Sequence, residues 1–196
     1  MYAADGNNES VSKLAPSGAL LGIWNEASVP NPHPGIPSGV AVTHSGPVYA
    51  AFNNGYSIER LSAGLTPSIQ LAQSGTDIVL DGAGNLYVAD GRHDRILKLS
   101  PGGIALASWG SFGTAPGKFN QPSGIALDAH GNIYVADTGN DRIQKLSPAG
   151  IFLRSWGATG SRPGLFHDPA ALALDSRGDM YVADAGNNRI QEHTGG

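Results

Sequence analysis

The chain of 196 residues contains no cysteine, only four lysines and few charged residues of either sign. The absence of cysteine excludes disulfide bonds, zinc–thiolate centres and thiol nucleophiles. With 14% charged residues and a net charge of -4, we expect no basic surface for a nucleic-acid backbone. No apolar run approaches the length of a membrane-spanning helix, and the first residues lack the pattern of a signal peptide. Nucleic-acid partners and membrane spans are therefore not expected.

Glycine and proline are abundant instead, with 28 and 13 copies. Hydrophobic residues make up 40% of the chain, which is enough to drive collapse into a folded core. No long stretch has the 3.6-residue apolar period of an amphipathic helix. This composition favours short strands joined by many tight turns.

A short string, Tyr-Val-Ala-Asp, recurs along the chain. Its tyrosines lie at positions 87, 134 and 181, and altered copies begin at positions 2 and 49, so the steps are 47, 38, 47 and 47 residues. Around each copy, four short apolar runs alternate with turns rich in Gly, Asn, Asp and Pro. This pattern predicts four antiparallel strands joined by hairpins, and its period is typical of a β-propeller blade.

The one short step of the repeat has a definite location. The distance from Trp109 to Ile125 is 16 residues, and the same spacing occurs in two other copies. In the remaining copy, Leu71 stands in the position of the tryptophan, and only 7 residues separate it from Ile78. We therefore expect one loop between consecutive blades to be nine residues shorter, with intact strands on both sides.

The repeating pattern Asp-x-x-Gly-Asn-x-Tyr-Val-Ala-Asp-x-Gly-Asn-x-Arg-Ile-x-Lys resembles the NHL repeat. Residues 76–110, 122–157 and 169–192 carry it closely, residues 2–24 match its second half, and residues 37–71 match it loosely. The resemblance implies an all-β propeller, usually with six blades. The family includes binding domains of envelope and signalling proteins, RNA-binding modules and a zinc-dependent amidating lyase. It slightly favours an extracytoplasmic or secreted location.

The expected strand counts are three, four, four, four and three, or about four and a half blades. The first copy lacks its innermost strand and the last copy lacks its outermost strand. This arrangement predicts either a fragment of a six-bladed ring or an incomplete five-position ring, with possible self-association through open blade edges. We expect residues 1–196 to form a single, truncated propeller domain. Its blade segments are expected at about 1–24, 37–71, 76–110, 122–157 and 169–192.

The residues that repeat have structural explanations. Gly131 and its equivalents allow positive φ in a hairpin turn, and the Asp128 carboxylate and its equivalents can accept hydrogen bonds from the turn amides. Asp137 and Arg142 recur together, which predicts a buried ion pair. Tyr134 and Trp156 are expected to pack between blades. The carboxylate-rich loop that follows Asp137 is explained as a turn without calcium.

Function is expected where the copies differ, on the face that carries the turns between the second and third strands and the loops between blades. His93 and His167 replace asparagines of other copies there, and His33 lies in a third loop. Together they suggest a zinc site or a general base as an alternative to ordinary loop residues. The predicted contact residues are Arg92, His93, Asp94, Asn140, Asp141, His167, Asp168, Asn187 and Asn188.

A comparison with the amidating lyase concerns the residue after the proline that begins the innermost strand. The corresponding residues are Ser38, Thr76, Ser123 and Ala170, and none is a histidine. The sequence therefore predicts a binding scaffold without cofactor or metal, which docks a protein, peptide or glycan. The alternatives are a metal-dependent lyase or hydrolase at the central channel mouth, and a propeller fragment without activity of its own.

Overall fold

The computed structural model describes residues 2–25, 36–42, 47–52, 57–61, 67–72 and 75–194. These residues form five antiparallel sheets of three, four, four, four and three strands. Two short 3-10 turns, Thr138–Asn140 and Ala185–Asn187, are the helical segments of the described residues. No helix in this part of the chain could cross a membrane.

The strands follow one another in space in the order of the sequence within every sheet. The first sheet contains β1 (Tyr2–Asp5), β2 (Ser10–Leu14) and β3 (Leu20–Asn25), and the second contains β4 (Pro37–Val42), β5 (Val48–Phe52), β6 (Ser57–Leu61) and β7 (Pro67–Ala72). The third contains β8 (Asp77–Leu80), β9 (Leu86–Asp90), β10 (Arg95–Leu99) and β11 (Ala105–Trp109). The fourth contains β12 (Pro122–Leu127), β13 (Ile133–Asp137), β14 (Arg142–Leu146) and β15 (Phe152–Trp156), and the fifth contains β16 (Pro169–Leu174), β17 (Met180–Asp184) and β18 (Arg189–His193).

The sheets are arranged as the blades of a partial propeller. The first strands of neighbouring blades, β4, β8, β12 and β16, contact one another in turn, so they line the inner side of the arc. The predicted all-β propeller with about four and a half blades is confirmed. That residues 1–196 form a single domain stays a prediction.

The hydrophobic core lies between the blades. Alternate residues of each strand point to opposite faces, and both faces are apolar where blades meet on both sides. Between the third and fourth blades, Ile96 and Ile133 are fully buried together with Phe119, which descends from the loop between the blades. Burial of each such side chain contributes about 2 kcal/mol relative to exposure. Tyr134 stacks on Trp156 within the fourth blade, with 5.8 Å between ring centroids. Both rings pack in the cluster with Met180 and Val182 of the fifth blade, as the sequence predicted for packing between blades.

The turns use their aspartates and glycines as predicted. The Asp128 carboxylate accepts hydrogen bonds from the backbone N–H groups of His130 and Asn132, both at 2.9 Å. Gly131 has φ 79°, in the left-handed region. Asp81 and Asp175 form the same turn in the neighbouring blades.

The prediction that Leu71 takes the position of the tryptophan is wrong. Trp109 and Trp156 pair with Ile96 and Ile143, whereas the residue that pairs with the equivalent Ile58 is Ala72. The register shifts between Ile58 and Glu59, so that strand β7 accommodates one residue more than its counterparts. An irregularity of this kind leaves no signal in the spacing of the sequence.

A pair of equivalent glycines offers a test of blade packing. Gly150 and Gly18 both have positive φ, but a Cβ at Gly150 would overlap the Trp109 ring, whereas nothing lies within 4 Å of one at Gly18. We expect Gly18→Ala to lower the free energy of unfolding by about 1 kcal/mol through backbone strain. Gly150→Ala should lower the free energy of unfolding by about 1–3 kcal/mol more than Gly18→Ala does, because Trp109 must move. Urea unfolding of both variants measures the difference, and equal losses would contradict the packing of Trp109 against this turn.

Candidate functional site

One end of the propeller carries the turns after β9, β13 and β17 and the loops at residues 110–121 and 157–168. We call this end the loop face. The two loops lie against the turns, since the Gly139 N–H donates to the Asn120 carbonyl at 2.9 Å and the Gly186 N–H donates to the His167 carbonyl at 2.8 Å. The sequence predicted that these segments share one face.

A buried carboxylate organises the loop face in the fourth blade. Asp137 is fully buried and accepts hydrogen bonds from the Asn120 N–H at 2.7 Å, from Arg142 Nε at 2.7 Å and from Gln144 Nε2 at 2.9 Å. Asn140 Nδ2 donates to both of its oxygens. The predicted ion pair with Arg142 is therefore one part of a larger network.

The other ends of these side chains hold the loop of residues 110–121. The guanidinium of Arg142 donates to the carbonyls of Thr114, Ala115 and Lys118. Asn140 donates to the Gly113 carbonyl at 2.9 Å. The loop is thus attached to the blade by side chains that are themselves fixed by a buried charge.

The fifth blade repeats this network around Asp184. Burial alone would raise the pKa of the Asp184 carboxyl, but hydrogen bonds from the His167 N–H, Asn187, Arg189 and Gln191 together hold the pKa below its ordinary value. Arg189 Nε lies 2.7 Å from Asp184 Oδ2. The carboxylate is therefore ionised wherever the chain is folded at neutral pH.

The third blade keeps the buried carboxylate and the arginine but changes their neighbours. Arg95 Nε lies 2.8 Å from Asp90 Oδ2. His93 replaces the asparagine, and its Nδ1 lies 2.9 and 3.0 Å from the two Asp90 oxygens. His93 is therefore oriented by Asp90, with half of its side chain exposed on the loop face.

A depression of about 570 Å³ lies on the loop face between the third and fourth blades. Arg92 and Asp94 form part of its wall, and Phe112, which is 71% exposed, stands beside them. Asp94 Oδ1 accepts a hydrogen bond from the Gln121 N–H at 2.7 Å, which ties the two blades together at this point. The complete lining consists of Thr76, Gly91, Arg92, Asp94, Phe112, Asn120, Gln121, Ser123 and Thr138.

The nine predicted contact residues are distributed over three places. Arg92 and Asp94 line the depression. The amides of Asn140 and Asn187 are engaged by the buried aspartates, His93 is held by Asp90, and Asn188 is the exposed left-handed residue that ends a 3-10 turn. Asp141, His167 and Asp168 lie together between the fourth and fifth blades. His33 and the turn at 53–56 lie outside the described residues.

The prediction from sequence missed most of the residues that line the depression. Phe112, Asn120, Gln121 and Thr138 were not selected, because a loop residue's exposure depends on how the loop folds. Thr76 and Ser123 did carry a signal, since they occupy the positions that were compared with the lyase. Their hydroxyls donate to the carbonyls of Pro122 and Ala170 in the next blade, so both help to join neighbouring blades.

Comparison with protein families finds the NHL repeat at residues 119–146 and 166–192. Both matched segments run from the end of a loop between blades to the third strand of the following blade. They contain the buried Asp137 and Asp184 with the asparagine, arginine and glutamine side chains that donate to these carboxylates. These two segments are NHL repeats. The resemblance predicted from the Tyr-Val-Ala-Asp pattern is thereby confirmed.

Solved structures with a similar fold include proteins of different kinds. A protein of unknown function from Bacteroides thetaiotaomicron gives a TM-score of 0.78 at 17% identity, over 97% of this chain and 55% of that chain. Virginiamycin B lyase from Staphylococcus aureus gives 0.71 at 16% identity, over 98% and 65% of the two chains. A nidogen/laminin complex gives 0.68 at 23% identity, over 98% and 72%. This chain thus spans between 55% and 72% of the length of these structures.

These similarities establish the fold of this chain and leave its activity open, because fold alone does not determine function. A comparison with curated protein sequences finds no match.

Proposed function

We propose that this NHL-repeat chain is a binding scaffold that docks a protein, peptide or glycan partner on its loop face. The observation that carries the proposal is the depression between the third and fourth blades. It combines an exposed aromatic ring, Phe112, with charges of both signs, Arg92 and Asp94. An exposed aromatic beside polar groups of fixed position is characteristic of binding surfaces.

The scaffold around the depression supports recognition without large rearrangement. The Gln121 N–H is held by Asp94, and the backbone of Asn120 is held by the buried Asp137. Groups held in this way lose little conformational freedom when a partner binds. The fold is compatible with such a role, since one structure that shares it is a nidogen/laminin complex.

The alternative function, a metal-dependent lyase or hydrolase at the channel mouth, has weaker support. In its favour, the fold of this chain is similar to that of virginiamycin B lyase. Among the described residues that line the depression, however, Asp94 is the one carboxylate and histidine is absent. Metal-assisted hydrolysis usually needs at least three converging nitrogen or oxygen ligands.

A binding screen tests the proposal. The chain is presented to a peptide-display library and to a glycan array, and every ligand obtained is measured again with Arg92→Ala and Phe112→Ala. We expect each change to weaken binding by about tenfold or more, equal to about 1.4 kcal/mol. His130→Ala, in a turn at the opposite end, is the control and should change affinity by less than about twofold. A screen without ligands, or equal binding by all variants, would reject the proposal.

A further inference from the structure

Three potential metal ligands converge on the loop face between the fourth and fifth blades. His167 Nδ1 lies 3.9 Å from Asp141 Oδ1, and His167 Nε2 lies 3.9 Å from Asp168 Oδ2. One ligand atom from each residue lies within 4.8 Å of the other two. Among the residues that the structure describes, this is the one group of three or more histidine and acidic side chains with such spacing.

The backbone on both sides of the cluster is fixed. Asp141 Oδ1 accepts the Asp168 N–H at 2.8 Å, and Asp141 Oδ2 accepts the Thr159 hydroxyl at 2.6 Å. The His167 N–H donates to the buried Asp184 at 2.7 Å. The His167 ring rests against Gly186, where a Cβ would overlap it. The imidazole is thereby held close to both carboxylates, while 53% of the His167 side chain stays exposed.

The preceding repeat has the same backbone arrangement with different side chains. There Asp94 Oδ1 accepts the Gln121 N–H at 2.7 Å, and the Asn120 N–H donates to the buried Asp137 at 2.7 Å. Asn120 and Gln121 therefore occupy the positions of His167 and Asp168. Because two amides hold the loop equally well, folding alone does not require a histidine and a second carboxylate at these positions.

We propose that Asp141, His167 and Asp168 bind a divalent transition-metal ion of the zinc type. Imidazole nitrogen suits zinc, nickel and copper, and the two carboxylates balance the charge of a divalent ion. Ligand atoms around such an ion are about 3–3.5 Å apart for bonds near 2.1 Å. One ion binds only one imidazole nitrogen, and the Asp168 carboxylate lies nearest Nε2 whereas Asp141 lies nearest Nδ1. The ligand atoms, which lie up to 4.8 Å apart, therefore have to approach one another by up to about 1.5 Å. Rotation of the exposed Asp168 side chain toward Nδ1 and Asp141 can supply this movement. Three protein ligands leave at least one coordination position open to water or to a partner.

The two repeats provide matched variants for the test. Untagged protein is titrated with ZnCl₂ in an isothermal titration calorimeter. The natural chain should bind one equivalent, and the double change His167→Asn with Asp168→Gln, which copies Asn120 and Gln121, should lose at least tenfold in affinity. The reciprocal change, Asn120→His with Gln121→Asp, should create a second site with Asp94 and raise the stoichiometry to two.

The outcome separates this site from zinc bound elsewhere. Equal affinity in the natural chain and the His167→Asn, Asp168→Gln variant would overturn the proposal, because other histidines would then hold the ion. Absence of zinc binding by the natural chain would overturn it as well. Should that double variant fail to fold, Asp168→Asn removes one ligand at an exposed position and is expected to weaken binding by about tenfold. The proposal does not depend on the partner that docks in the depression.

Discussion

Replacing Asp137 with alanine should lower the free energy of unfolding by about 3–5 kcal/mol, because the change leaves a mostly buried guanidinium without its carboxylate. Arg142 is paired with Asp137 at 2.7 Å and only 15% of its side chain is exposed. The same substitution removes the acceptor of the Asn120 N–H and of the Gln144 amide. The loop of residues 110–121 is therefore expected to lose its attachment to the fourth blade.

Urea unfolding followed by tryptophan fluorescence measures this loss, since Trp109 and Trp156 lie on the two sides of the fourth blade. Asp175→Ala is the matched control. Asp175 accepts turn N–H groups at the opposite end and pairs with Arg177, whose side chain is 71% exposed. The control substitution should lower the free energy of unfolding by about 1 kcal/mol. Equal losses for the two variants would show that the buried network does not hold the loop.

The fold could be predicted because its repeating residues act locally. The interactions that define the fold connect residues separated by less than the length of one repeat. They occur in the Tyr-Val-Ala-Asp strands, the Asp-x-x-Gly turns and the Asp137–Arg142 pair. Their recurrence in register identified the propeller and the NHL repeat. The bulge in β7 was missed because an extra residue in an outer strand changes neither the turns nor the apolar pattern around it.

The loop face could be predicted only in part, because its contacts join distant residues. The pair of Asp137 and Arg142 spans five residues, but Arg142 also binds the carbonyls of residues 24 to 28 positions earlier. Backbone carbonyls have no signature in a sequence. For the same reason Asn140 was selected as a contact residue, although its amide is engaged by Asp137 and by Gly113.

The depression depends on where a loop places one aromatic ring. Phe112 pairs with Phe119 in an isolated parallel bridge, yet Phe119 is fully buried and Phe112 is exposed. Two phenylalanines of one loop thus have opposite roles, and their spacing alone does not indicate which is which. The short loop before the third blade was correctly located, but the sequence did not reveal that the depression lies beside that blade.

An acidic residue in an inner strand should make the stability of the chain depend on pH. Asp77 lies in β8 at the position that Gly39, Gly124 and Ala171 occupy in the other inner strands, as their pairing partners show. Burial raises the pKa of Asp77 to about 6, and hydrogen bonds from the N–H groups of Ile125 and Ile78 offset only part of this effect. Asp77 is thus the exception to a row of small, uncharged residues.

The direction of the effect follows from the two pKa values. Between pH 4 and 6 the folded chain retains a proton on Asp77 that the unfolded chain has lost, since the ordinary pKa is 3.8. The contribution of Asp77 to the free energy of unfolding is therefore fully present below about pH 4 and is lost as the pH rises through 6. The difference corresponds to about 3 kcal/mol.

Asp77→Ala removes this titration and places in β8 the residue that β16 has at the same position. We expect the difference in unfolding free energy between the natural chain and Asp77→Ala to shift by about 2–2.5 kcal/mol from pH 4 to pH 7, with the natural chain relatively more stable in acid. Urea unfolding across this pH range measures the shift. Asp81→Ala is the control with the opposite sign, because hydrogen bonds from Asn85 and Ala83, together with Lys98, lower the pKa of Asp81 against the effect of burial. Parallel stability curves for the natural chain and Asp77→Ala would mean that the Asp77 carboxylate is solvated in the folded chain, and that the inner side of the arc admits water.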